Sequence, residues 1–223
     1  MALTPAYTPA PQPSHRLIPS QFPPIGLFDT VARAADLEPV LDLVGWTNDR
    51  LVATRLARLP QSEWVFGRPN ASIVMAAFLH ASPLGARFSG PDLGAWYAAA
   101  HLNTAIAEVA HHLRREAYAR RQISASRRFR AYRAALTGSY RDIRGITEGG
   151  LHAPDSYATG QKFDEQLRAA GETGIVYDSL RHRGGVAICA YRPSQITDVV
   201  QAEHLDISVR TDTPTIEVIT LPT

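Results

Sequence analysis

Apolar residues recur along this chain in two periods. Between residues 29 and 58, Leu37, Val40, Leu41 and Val44 fall three or four positions apart, which puts them on one helical face, and Asp36 is suited to cap that helix. A shorter helix starting at Thr47 or Asn48 carries Leu51, Leu56 and Leu59. The run ASIVMAAFL (71–79) is apolar all round, so it predicts a buried element whose type the period leaves open. AWYAAA (95–100) reads as a strand entering the core. Asn103 or Thr104 can then cap a helix running to about Tyr118, with Ile106, Val109 and Leu113 on its inner face. Asp155 or Ser156 can cap a further helix through Ala170, which carries Phe163 and Leu167 and is ended by Gly171–Gly174. GIVY (174–177) and VAICAY (186–191) predict two buried strands joined by a loop at 179–185; residues 207–209 and 215–219 add more strand. Helices and strands are mixed without a regular βαβ alternation, so the expected class is α+β.

The first 24 residues break both periods. Pro5, Pro9, Pro11, Pro13, Pro19, Pro23 and Pro24 each fix φ and remove a donor, so we expect an extended arm outside regular helix or sheet, followed by a single domain over 25–223. A chain of 223 residues, 45% hydrophobic and 20% charged, suits one globular domain. Net charge is +2, too small for a general polyanion binder. The one cysteine, Cys189, excludes an internal disulfide and a Cys-based zinc site, and in its apolar strand it reads as a small hydrophobe. The start of the chain lacks a signal-peptide pattern, and no apolar run is long enough to span a bilayer, so a cytoplasmic protein is expected.

Chemistry is harder to place. No Gly-rich dinucleotide loop, P-loop or metalloprotease helix is present. His111 and His112 are neighbours, so on a helix they should point to different sides and not form an i, i+4 metal pair. Residues 114–144 interleave arginines with Tyr118, Phe129, Tyr132 and Tyr140. That recipe suits nucleic acid, but Glu116, Asp142 and Glu148 dilute the charge, and a solvated charged face with a strand near 129–136 is the better reading. Four polar residues stand in apolar or turn-rich settings: Arg87, Tyr97, Glu108 and Ser179. Taken alone, Glu108 fits a surface carboxylate paired with Arg114 or Arg115 at least as well as a catalytic one, and Ser179 can simply close a turn.

A resemblance changes that balance. RFSGPDLGAWYAAAHLNTAIAEVAHH (87–112) and GIVYDSLRHRGGVAICAYRP (174–193) resemble, in order, the two signature blocks of the RES domain, and VFGRPNASIVMAAFLH (65–80) resembles the lead-in of one longer subgroup. The match spans about 65–193. The arginine, glutamate and serine for which that family is named correspond to Arg87, Glu108 and Ser179, and Tyr97 matches a tyrosine of the same pocket. The chain departs at His111, where tyrosine or valine is common, and in the basic segment 114–144.

The resemblance implies an ADP-ribosyltransferase-like fold, with small β-sheets around an NAD cleft. It implies the toxin of a toxin–antitoxin pair, degrading NAD as substrate without a metal. Arg87 would grip phosphate, Tyr97 would stack on nicotinamide, Glu108 would stabilise a cationic ribose, and Ser179 would orient the ribose or support Glu108. His112, one turn after Glu108, is a candidate to position the acceptor, although a ring hydrogen-bonded within the helix surroundings is the better reading, and Arg181, in the Ser179 loop, is a second candidate for a phosphate contact. The acceptor stays open between water and phosphate; an ADP-ribosyltransferase acting on protein, or an inactive module binding nucleic acid or a partner, are the rivals. The implied partner is an Xre-like helix-turn-helix antitoxin, through which any contact with nucleic acid would be indirect; a homodimer is compatible.

Overall fold

The strands, in chain order, are β1 Tyr7–Pro9, β2 Ser14–Pro19, β3 Trp96–Ala99, β4 Ser124–Leu136, β5 Ser139–Asp142, β6 Gly174–Asp178, β7 Val186–Ala190, β8 Ile196–Arg210 and β9 Ile216–Leu221. The helices are α1 Arg50–Ala57, α2 Ala71–Leu79, α3 Leu102–Ala119 and α4 Ala158–Ala169. This computed structural model describes residues 6–21, 26, 28–31, 50–146, 148–153 and 156–222. The helix expected around Asp36, Leu37, Val40, Leu41 and Val44 lies outside them. The class is α+β.

Among the described residues the strands join in the order β1-β5-β6-β7-β3-β2-β4-β8-β9, with β5–β6 parallel and the other pairs antiparallel. The continuity is thin at one place. β2 pairs with β4 along its whole length, from Ser14↔Ala134 to Pro19↔Phe129, but meets β3 only at His15↔Ala99. The sheet is in effect two smaller sheets joined at a seam.

The period-2 alternation of the strands divides the apolar residues between the faces. On one face α2 packs against Trp96, Tyr132, Val176 and Ile188. On the other face there are two separate clusters. Ala105, Ile106, Ala110 and Leu113 of α3 cover Leu17, Phe129, Ala131, Leu205 and Ile207. Leu167 of α4 and Phe88 cover Ile175, Tyr177, Ala187 and Cys189. The seam runs between these clusters, and there the sheet has no apolar cover.

Several expectations need correction. The prolines were expected to keep the first 24 residues out of regular structure, yet β1 and β2 lie there, and β2 is an inner strand. Pro9 and Pro19 end their strands, and Pro13 immediately precedes β2. At those positions the missing N–H costs little ladder. The ambiguous block 71–79 is a helix. Its first-turn donors find Asp29, whose carboxylate accepts Ser72 N–H at 2.7 Å and Asn70 N–H at 3.0 Å. At its other end the buried Arg55 guanidinium donates to Leu79 O at 2.8 Å. α3 starts earlier than Asn103 or Thr104 allows, with His101 at the N-cap and no side-chain cap bond. α4 starts at Ala158 with Tyr157 at the N-cap, one residue after Ser156, whose Oγ accepts Ala158 N–H at 3.4 Å; Asp155 lies outside the described residues. No helix among the described residues is long and apolar enough to cross a membrane.

Candidate active site

The seam opens into a cleft of about 280 Å³. Its floor is His15–Leu17 of β2 and Tyr97–Ala99 of β3. One wall is α3, with Glu108, Val109, His111 and His112; the other carries Arg87, Tyr157 and Tyr177, and Leu180 and Arg181 stand at the β6–β7 loop. Five of the six expected site residues, Arg87, Tyr97, Glu108, His112 and Arg181, therefore share one cavity.

Glu108 is half-buried, and its partner is Ser179, one of the two roles the resemblance implied for that serine, and not Arg114 or Arg115, which the local sequence alone suggested. Ser179 Oγ donates to Glu108 Oε1 at 2.6 Å. Arg114 instead donates to the carbonyls of Arg210, Pro214 and Thr215, and Arg115 contacts the Tyr157 hydroxyl. Ser179 is buried, 8% exposed, and sits behind Glu108 outside the cavity lining. Its Oγ also accepts the N–H groups of Arg181 at 3.2 Å and His182 at 3.1 Å. With two amides on its lone pairs, the hydroxyl has only the carboxylate left to donate to. Ser179 does close the turn, since its N–H donates to Gly185 O at 2.8 Å. The same loop geometry aims the hydroxyl. Oε2 of Glu108 carries no protein hydrogen bond to Ser179 and is the oxygen available to a ligand.

Arg87 is held by backbone carbonyls. Its Nη1 donates to Ala153 O at 2.7 Å and more weakly to Leu151 O, and its guanidinium lies 5.0 Å from the Tyr157 ring centroid. Tyr97 presents its ring to the cleft, while its hydroxyl accepts Phe88 N–H at 2.9 Å and meets Ser89 Oγ at 3.1 Å. Tyr97 thus braces the turn that carries Arg87. Burial pushes its phenol well above the ordinary range, so it stays neutral.

The structure adds residues that sequence reasoning missed. Arg16, in the proline-rich segment, lies at the seam: Nη1 donates to Tyr97 O at 2.9 Å and the guanidinium sits 4.8 Å from the Trp96 ring centroid. Burial lowers its pKa to about 10, so it remains cationic. Tyr157 and Tyr177 supply two more aromatic faces. Nothing in the local pattern around Arg16 signalled this, because the strand was hidden by prolines. A GIVY strand alternating faces could have indicated Tyr177, which shares its face with the buried Ile175.

His111 and His112 do not diverge as expected. Both line the cleft, with ring centroids 5.6 Å apart and edge to face, because a wall curved around a helix takes in residues about 100° apart. Burial first, then Arg181, His112 and nearby arginines, lower the His111 pKa to about 4. It is neutral at physiological pH. Cys189 is fully buried, which pushes its thiol up and leaves it inert. The arginines of 114–144 are largely engaged within the fold: Arg120 and Arg127 on Glu116, Arg128 on Asp206, Arg141 on Glu172, and Arg144 on Asp142. Among the described residues no cluster of three His, Cys, Asp or Glu side chains is arranged to hold a metal.

A protein-family comparison matches the RES domain to residues 55–210. Among solved structures, the chain is similar to one in the crystal structure of the M. tuberculosis MbcT–MbcA toxin–antitoxin complex, at 15% identity and a TM-score of 0.42, over 56% of this chain and 72% of that one. No curated protein sequence matches.

Proposed function

The chain belongs to the RES-domain family, and from that premise we propose that it is the toxin of a toxin–antitoxin pair that cleaves the nicotinamide–ribose bond of NAD. The observation that carries the reading is the oriented carboxylate. Glu108 faces a cleft between two guanidinium groups, Arg87 and Arg181, and a hydroxyl that can only donate holds its other oxygen.

Each part has a task in that reaction. Nicotinamide leaves as a neutral base, the C1′–N bond pair going to its ring nitrogen, and positive charge develops on the ribose. The free oxygen of Glu108 accepts a ribose hydroxyl and stabilises that charge as it forms, in a partly dry site where electrostatic contacts are strong. Tyr97, Tyr157 and Tyr177 offer faces to the nicotinamide ring. Arg87 and Arg16, which both line the cavity, hold phosphate, and Arg181 and His112 are further contacts to the ligand. The cavity is small for a dinucleotide, so the nicotinamide riboside end and the adjoining phosphate seat inside and the adenosine end runs out over the mouth. Water as acceptor gives ADP-ribose, phosphate gives its phosphorylated counterpart, and a protein side chain gives an ADP-ribosylated protein. The antitoxin is an Xre-like protein that covers the mouth, where Leu180 is 40% exposed.

The test is chromatography of nicotinamide and the ribose product from purified protein and NAD, with and without phosphate, beside Glu108→Gln. Turnover should fall by about 100-fold or more in that variant, and the product mass identifies the acceptor. A Glu108→Gln protein that consumes NAD at the wild-type rate would falsify the role of the carboxylate.

A further inference from the structure

α3 and the β6–β7 loop are joined by two rungs, and only the first has a place in the chemistry above. The second lies one helical turn nearer the α3 N-terminus: His182 Nδ1 and Thr104 Oγ1 are 2.8 Å apart. Thr104 and Glu108 are four residues apart on one helical face, and Ser179 and His182 are three apart in the loop, so the rungs are parallel. His182 takes part in both. Its ring meets Thr104, and its main-chain N–H donates to Ser179 Oγ at 3.1 Å.

The second rung is tightly enclosed. Thr104 is fully buried. Gly185 packs against it so closely that a Cβ there would come within 2.7 Å of Thr104 Oγ1 and 2.9 Å of His182 Nδ1. The loop has little stiffness of its own: it contains Gly184, at φ 74°, and Gly185 in succession. Neither Thr104 nor His182 lines the cleft.

We propose that Thr104 and His182 are a positioning pair, which clamps the loop to α3 so that the Ser179 hydroxyl stays aimed at Glu108. This rests on Glu108 being the reacting carboxylate. The backbone amides of Arg181 and His182 determine which way the Ser179 hydroxyl points, and the His182 ring anchors those amides to the same helix that carries Glu108. Releasing the ring lets the amides leave Oγ. The hydroxyl can then rotate, and Oε1 loses its fixed donor.

Four variants of the full chain test it: Thr104→Val, which removes the hydroxyl, Thr104→Ser, which keeps it, His182→Phe, and His182→Asn, whose amide reaches the place of Nδ1. Two quantities are measured. One is hydrogen exchange at the Arg181 and His182 amides, which needs no NAD; the other is kcat and KM for NAD cleavage. We expect exchange to quicken about tenfold and kcat to fall about tenfold with KM within twofold in Thr104→Val and His182→Phe. Thr104→Ser and His182→Asn should keep both near wild type, a rescue that a merely space-filling role would not produce. Unchanged amide protection in folded Thr104→Val and His182→Phe overturns the proposal, as does equal loss in the conservative variants. If Thr104→Val fails to fold, His182→Phe, on the partly exposed loop, decides. A wild-type protein without NAD turnover would sink the Glu108 reading, while the exchange measurement still decides whether the pair holds Ser179.

Discussion

A hydroxyl whose lone pairs are both occupied has one direction left for its proton, and at Ser179 that direction is Glu108. The charge-assisted contact is short, 2.6 Å, and belongs to the stronger class of hydrogen bonds. Arg16 shows a different residue-scale effect. It is a cation drawn out of water at the cleft floor, with one hydrogen bond to a carbonyl and an aromatic face for company. An arginine in that setting has donors to spare and is suited to an anion entering the cleft. We expect Arg16→Ala to raise the KM for NAD about tenfold with a smaller effect on kcat, and to widen the seam little, since β2 remains paired to β4. Steady-state kinetics checks this; an unchanged KM would reduce Arg16 to packing.

At the scale of elements, the site depends on close approaches that no side-chain pattern advertises. α4 comes against the turn carrying Arg87 at Gly160, where an added Cβ would press into the Arg87 carbonyl oxygen and meet the Phe88 ring. Two effects compete in Gly160→Ala. Helix propensity favours alanine by about 1 kcal/mol, but overpacking against backbone that cannot give way costs about 1–3 kcal/mol. The clash wins. The variant should melt lower than wild type and lose NAD affinity, because Arg87 moves with the turn. Thermal denaturation with and without NAD separates the two losses; a higher melting temperature would show that the turn yields. β2 carries the same lesson. Its prolines sit at its end and just before it, so its alternating Ser14, Arg16 and Leu17 contacts were free to build an inner strand, and the density of prolines in the sequence obscured this.

Over the whole molecule, the separation of two apolar clusters on one face of the sheet leaves the cleft, and burial along its wall gives the protein an acid-sensitive side. His111 has a folded-state pKa near 4 against an ordinary value of 6.5. Below pH 6.5 the unfolded chain binds the proton that the folded one refuses. Stability therefore drops as pH falls from about 6.5 to about 4, and the loss levels off below that. His15, also lowered chiefly by burial, acts in the same direction. The melting temperature of His111→Gln should fall less steeply than wild type across that window; parallel curves would mean that His111 contributes nothing. The amino-acid sequence by itself determined the class, the α3 helix and the strands at 174–177 and 186–191, and, through the resemblance carried by 87–112 and 174–193, it pointed to Arg87, Tyr97, Glu108 and Ser179 as candidates. These are local: periodicity and contiguous motifs lie within one segment of chain. Only the tertiary structure decided that Ser179 stands behind Glu108, that Arg16 reaches the same cleft from a strand outside the matched region, and that His111 and His112 share its wall. Each of those depends on which strands lie side by side, and strand order is set by pairing between residues far apart in sequence, for which a single sequence carries no local signal.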